Sequence, residues 1–269
     1  MSEGDQLPEA RAATVSPPPA APPHARHFQI IMGVLIALAI AAVTGAIAVA
    51  TSGGGASSAE TGSWAAFRPS SDGIETGAKE IAAYVGPQYR LPTGQQIVNV
   101  EGGPLQIQGL PMRIAVRHSP ADGGKIDLLD GKGVLYSLCG LGPKCSINIG
   151  KPSQSRLRLL EREALELALY SFHDLKDVDN VVVFMPPAPK GSNPPVALHF
   201  GRGDVAGQLA RPLRATLPVP VPTPDTVDRS PDTPFVKALT VGNLFQFSFS
   251  QSNQASSVFL VLEPVATTS

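Results

Sequence analysis

The chain has 269 residues, of which 43% are hydrophobic and only 16% are charged. Its 21 Lys and Arg residues are balanced by 22 Asp and Glu residues, so the formal net charge is −1 at pH 7. Because nucleic-acid phosphates are bound by clustered basic side chains, this balance argues against a polyanion-binding surface, and we expect no nucleic-acid partner.

The chain begins with a proline- and alanine-rich tail, residues 1–27, followed by an uncharged apolar run, Phe28–Ala50. The tail has no periodic apolar pattern, so we expect it to be disordered. As a helix rising 1.5 Å per residue, the run is about 34 Å long, enough to cross a hydrocarbon core of ~30 Å. The sequence therefore predicts one transmembrane helix in a lipid bilayer.

The apolar run is either a retained signal-anchor or a cleaved signal peptide. Ala48-Val49-Ala50 resembles the small-residue site of signal-peptide cleavage. We favour the retained anchor because the run is longer than the roughly 7–15 apolar residues of a typical signal peptide.

Flanking charge predicts the orientation of this helix. Arg26 lies just before the run, and the first basic residue after it is Arg68. The positive-inside rule then places the N-terminus in the cytoplasm and everything after Ala50 outside the cell membrane.

Small residues recur every four positions on one side of the predicted helix. Gly33, Ala37, Ala41 and Gly45 have the spacing that lets two membrane helices approach closely. This pattern also arises by chance in an alanine-rich run, so it gives only weak support for self-association.

The composition of residues 51–63 indicates a flexible spacer, and residues 64–210 are predicted to form an extracytoplasmic α+β domain. A short amphipathic stretch, Thr76–Val85, comes first. Several apolar runs separated by Gly, Pro and Asp-Gly turns then indicate a meandering antiparallel sheet. These runs are Ile97–Val100, Leu105–Gln108, Arg113–His118, Ile126–Leu129, Val134–Cys139 and Ser146–Ile149.

One long helix is predicted from Ser153 to about Leu175. Leucines and alanines share one side of it at helical spacing, which indicates a helix packed across a sheet. The opposite side gathers polar groups, and two of them, an arginine and a glutamate, stand one turn apart. These residues are Arg158, Arg162, Glu166, Tyr170 and His173.

The rest of the chain returns to strands. Runs at Val181–Met185 and Val196–Phe200 predict two more of them. Residues 211–234 are predicted to be a proline-rich linker, and residues 235–269 a C-terminal strand hairpin docked on the domain. The predicted fold class is therefore a membrane-anchored α+β protein: one transmembrane helix, then a mostly antiparallel sheet with one long packed helix.

The two cysteines, Cys139 and Cys145, enclose Gly-Leu-Gly-Pro-Lys. On the orientation above they lie in an oxidising compartment, which favours a disulfide over free thiols. A zinc site would need two further ligands at suitable spacing, and none is evident. We therefore predict no metal and no cofactor.

Catalytic alternatives start from a few reactive side chains. A thiol transpeptidase-like enzyme would use Cys139 with His118, and a hydrolase would use Glu161, His118 or His173. No catalytic signature surrounds these residues. Gly150-Lys151-Pro152-Ser153 also fails as a phosphate loop, because the residue after the lysine must be Ser or Thr.

We therefore assign no catalytic or cofactor-binding residue, and we leave enzymatic activity open while favouring a non-enzymatic role. The sequence favours a single-pass membrane protein that presents an extracytoplasmic binding or scaffolding domain, with another envelope protein as the candidate partner. The alternative is an envelope enzyme anchored by its N-terminal helix.

Overall fold

The computed structural model describes residues 64–118, 123–187, 194–251 and 258–265. Three predicted segments lie outside the described residues: the tail, the predicted transmembrane run Phe28–Ala50 with its small-residue side, and the spacer 51–63. Among the helices that are described, none is both long and apolar enough to cross a bilayer.

The three longer described helices each bury one or more sides in the core. The long helix predicted from the sequence is present. Ser153 caps its start by accepting a hydrogen bond from the backbone N–H of Arg156 at 3.2 Å. The helices are α1 (Ile74–Val85), α2 (Gln154–Asp174), α3 (Ala206–Leu209), α4 (Leu213–Thr216) and α5 (Thr233–Val241).

The described strands follow most of the predicted apolar runs. They are β1 (Asn99–Pro104), β2 (Gln106–Ile107), β3 (Leu110–Arg117), β4 (Ile126–Leu129), β5 (Lys132–Cys139), β6 (Val178–Phe184), β7 (Val196–Gly201), β8 (Leu244–Gln251) and β9 (Val258–Pro264). Asp130-Gly131 joins β4 to β5, and Gly131 has the positive φ of 98° that favours glycine. The predicted strand Ser146–Ile149 is wrong: no strand forms there, and Cys145 closes a tight turn just before it.

The sheet is mixed rather than a meander. Its order among the described strands is β1-β5-β6-β7-β8-β9-β3-β2, with β4 also paired to β3. The pairs β5–β6 and β3–β9 are parallel, and the other described pairs are antiparallel. The predicted meander is wrong because turn signals show where strands end but not which strands pair. Pairs such as β1–β5 join distant parts of the chain.

The sheet curves into a nearly closed barrel, and the connection between β1 and β2 links the two ends of the strand order. Leu105, which joins β1 to β2, donates its N–H to Gly133 of β5 at 3.0 Å and accepts from Met112 of β3 at 3.0 Å. Phenylalanines of β6 and β8 fill part of the interior, where the rings of Phe184 and Phe247 stack at 4.3 Å.

A second hydrophobic core, distinct from the barrel interior, lies between the helices and the outer side of the barrel. Helix α2 forms its centre. Every residue from Leu159 to Phe172 is buried. Ser171 and Tyr136 of β5 hydrogen-bond at 2.8 Å, which fixes this side of the helix on the sheet. Helices α1 and α5 pack on its other sides.

The segment 211–234, predicted to be a proline-rich linker, contributes buried side chains to this second core. It contains α4, a 3-10 turn at Val227–Arg229 and the start of α5. Leu213, Leu217 and Val227 are buried there. Prolines deny hydrogen bonds to a sheet, but they do not prevent neighbouring side chains from packing.

Candidate functional site: a buried charge network on the central helix

The predicted cysteine pair lies at the end of β5. The Cα atoms of Cys139 and Cys145 are 4.3 Å apart and the sulfurs are at disulfide distance. The backbone N–H of Gly140 donates to the carbonyl of Cys145 at 2.8 Å, which closes the turn. Neither cysteine is free in the described part of the chain, so Cys139 does not present a thiol nucleophile while the bond exists.

The two candidate catalytic histidines lie in different parts of the domain. A ring nitrogen of His118, after β3, is 2.7 Å from the carboxylate of Asp127 in β4. His173, at the end of α2, is 2.8 Å from the carboxylate of Asp174, and its ring stacks on Trp64 with centroids 4.0 Å apart.

The candidate acid Glu161 is buried beside Arg158 and Lys237. Burial raises the pKa of its carboxyl, while the two cations oppose that shift. His173 lies three turns further along α2, about 18 Å along the helix axis. The structure therefore does not bring Glu161 and His173 together, which is one of the pairings that a hydrolase could use.

A different set of charged groups converges on the middle of α2. Arg162 is only 2% exposed. Its Nε donates to Asp232 at 2.6 Å, one Nη donates to the Tyr89 hydroxyl at 2.8 Å, and the other donates to the carbonyl of Pro218 at 2.7 Å. The carboxylate of Glu166 is 3.5 Å away. This guanidinium joins the loop after α1, the central helix and the segment 211–234.

Electrostatics keep this arginine charged. Burial alone would lower its pKa, but Tyr89, Glu166 and Asp232 raise it above the usual value. The Tyr89 hydroxyl donates to Glu166 at 2.6 Å, and burial followed by the Glu166 charge raises the pKa of Tyr89. We define Tyr89, Arg162, Glu166 and Asp232 as the Arg162 network.

Sequence reasoning found half of this network. Arg162 and Glu166, placed one turn apart on the polar side of the helix, are in contact, and both are buried. Tyr170, assigned to the same side, is also buried. Other segments cover this side, and no local pattern marked Tyr89 or Asp232 as partners.

Glu163, next to the network, is the most unusual carboxyl of the domain. Its side chain is completely buried, and neither carboxyl oxygen has a hydrogen-bond partner among the described residues. Burial, and then the charge of Glu166, raise the pKa of Glu163 well above 4.5.

A second buried polar pair lies in the barrel. Nε2 of His199 is 3.1 Å from the amide oxygen of Asn180, whose Nδ2 donates to the carbonyl of Asp130 at 2.9 Å. Burial lowers the pKa of His199 to about 4, although Asp204 opposes the shift. His199 is therefore neutral near pH 7, and its contacts hold strands together.

The tripeptide Arg202-Gly203-Asp204 matches an adhesion motif only in its letters. Arg202 donates to the carbonyl of Val178 at 3.0 Å and lies over the ring of Phe172. Asp204 accepts from the backbone N–H of Gly201 at 2.8 Å. Both charged side chains have structural partners within the domain.

A small cavity opens at one end of the barrel. It is lined by residues of β3, the β4–β5 turn and β6, and its volume is about 110 Å³. Ligand sites for drug-sized molecules are roughly 300–1,000 Å³, so this one suits a few waters. In the described ranges, no three His, Cys, Asp or Glu side chains are placed to hold a metal ion.

Strand β4 carries exposed apolar side chains. Ile126 is 50% exposed and Leu128 is 48% exposed. β4 pairs with β3 on one edge, and no described strand pairs with the other. An edge strand offers free backbone N–H and C=O groups to an added strand.

Comparison with known proteins gave no relatives: no family model, curated protein or solved structure matches this chain. The functional proposal therefore depends on the residues and contacts described above.

Proposed function

We propose that this chain is a single-pass membrane protein that presents an extracytoplasmic binding or scaffolding domain. The uncharged run Phe28–Ala50, with Arg26 before it, supports an anchor with the N-terminus in the cytoplasm. The pair Cys139–Cys145, at disulfide distance, supports an oxidising location for the domain, because structural disulfides persist there.

The open edge of β4 is the observation that carries the binding role. Ile126 is opposite Arg117 in the β3–β4 register, and Leu128 is opposite Ala115, so these side chains share the outer side of the sheet. A partner segment that added to β4 would gain main-chain hydrogen bonds and would cover both apolar side chains.

The charges on this outer side indicate the chemistry of the partner. Arg113 and Arg117 are each half exposed. Their carboxylate partners, Asp130 and Glu263, are exposed too, and exposed ion pairs contribute little, so other carboxylates compete well for the arginines. The partner we propose is an extended apolar and acidic segment of an envelope protein.

The enzyme alternative has less support. Cys139 is at disulfide distance from Cys145, His118 contacts Asp127, and Glu161 lies beside two cations. Each candidate group has a structural partner, and the contacts described above place none of them with another candidate.

Site-specific photo-crosslinking in intact cells tests this proposal. A photoreactive residue at Leu128 is expected to give a discrete adduct that maps to an extended segment of another envelope protein. The same residue at Val241, which is 55% exposed at the end of α5, is the matched control. An adduct to a second copy of this chain, or equal labelling from both positions, would contradict the proposed partner.

A further inference from the structure

Glu163 combines complete burial with the absence of any described partner. It lies in the middle of α2, where every neighbouring residue of the helix is buried as well. An ionised carboxylate in such a place is strongly disfavoured, because nothing replaces the hydrogen bonds and charge stabilisation of water. The folded domain therefore holds this side chain in its neutral form.

The charged groups around α2 do not lower the free-energy cost of ionising Glu163. Glu166, on the next turn, raises the pKa of Glu163 further, and the charge of Glu163 would in turn raise the pKa of Tyr89. The buried residues of α1 are all uncharged. The remaining charged groups packed on α2 contact other residues: Asp232 contacts Arg162, Asp228 contacts Arg158, Lys237 lies beside Glu161, and Arg202 lies over Phe172.

We propose that Glu163 is a proton-dependent latch: the neutral carboxyl permits the close packing of α2, and its ionisation loosens that packing as pH rises. This device is independent of the binding role proposed above. Since Arg162 is already engaged by Asp232, Tyr89 and Pro218, its guanidinium is not free to compensate the new charge.

The sign of the pH dependence follows from the raised pKa. In the unfolded chain Glu163 loses its proton near 4.5, whereas the folded domain retains it to higher pH. The stabilisation is therefore fully present below 4.5 and is lost as pH rises through the folded pKa. Between the unfolded and the folded pKa, the folded domain binds one proton more than the unfolded chain. The unfolding constant therefore increases by up to tenfold for each pH unit in that range.

The test compares the full-length chain, purified in mild detergent, with Glu163→Gln and Glu161→Gln. Glutamine preserves the shape of the side chain but cannot ionise. Thermal unfolding and amide hydrogen exchange of residues 159–170 are measured at matched pH from about 5 to about 9, above the ordinary Glu pKa and below that of Lys. Exchange is compared between variants at the same pH, which removes its intrinsic pH dependence.

The native chain is expected to lose protection in α2 as pH rises, and Glu163→Gln is expected to keep it. Glu161→Gln is expected to follow the native chain, because Glu161 already has Arg158 and Lys237 beside it. If Glu163→Gln does not fold, Glu163→Met takes its place with the same expectation. Identical pH dependence in the native chain and the folded Glu163 variant would overturn the proposal.

Discussion

Replacing Arg162 by methionine is expected to be among the most damaging single changes in the domain. The substitution keeps an unbranched side chain but removes the guanidinium that binds Asp232, Tyr89 and Pro218. Asp232 and Glu166 would then remain buried near each other without a cation. Burial and, to a smaller extent, the charge of Asp232 already raise the pKa of Glu166, and Arg162 opposes that shift.

The magnitude follows from burial. Arg162 and Asp232 are both only 2% exposed in their side chains, so solvent screens the pair very little. Removing one partner of such a pair costs about 3–5 kcal/mol. One kcal/mol shifts the melting temperature of a domain of this size by about 2–4 °C, so we expect a decrease of roughly 6–20 °C.

Arg158→Met is the matched control. Arg158 lies one turn earlier on α2 and pairs with Asp228 of the same proline-rich segment, but these side chains are 34% and 52% exposed. Such a pair contributes about 0–1 kcal/mol. Thermal unfolding followed by circular dichroism compares the two variants, and equal losses of stability would refute the importance of the Arg162 network.

Two further predictions concern the barrel and the cysteine turn. In the native chain, the stabilisation associated with neutral His199 is expected to be fully present above pH 6.5 and to be lost as pH decreases towards about 4. In that range the unfolded chain binds a proton at His199, whereas burial keeps the folded side chain neutral. The loss is about 3 kcal/mol at most, and His199→Gln should abolish it in acid-unfolding titrations. Replacing Cys139 and Cys145 by serine should lower stability by about 2.4 kcal/mol without changing the far-ultraviolet circular dichroism spectrum. Two alkylatable thiols in unreduced protein would contradict that prediction.

The long helix and most strands follow from local signals. Ser153 is a good helix cap, and the leucine spacing after it continues to Leu175, so the sequence indicates both ends of α2. The alternation of Phe245, Phe247 and Phe249 likewise marks β8. These features depend only on residues close together in the chain.

The sheet order and the Arg162 network depend on contacts between distant residues. Strand β3 pairs in parallel with β9, which is more than a hundred residues away in the chain, and no turn signal encodes that pairing. The partners of Arg162 in the network include Pro218 and Asp232, which belong to a segment that the sequence predicts to be a proline-rich linker. Helical periodicity separates apolar from polar sides, but it does not show which polar side another segment covers.

Membrane topology is the central claim, and protease protection tests it most directly. Tags are placed at both ends of the full-length chain, and protease is added to intact spheroplasts. The account predicts that the C-terminal tag is digested while the N-terminal tag is protected. Protection of the C-terminal tag would contradict the extracytoplasmic domain, and a mature chain that begins at Thr51 would contradict the retained anchor.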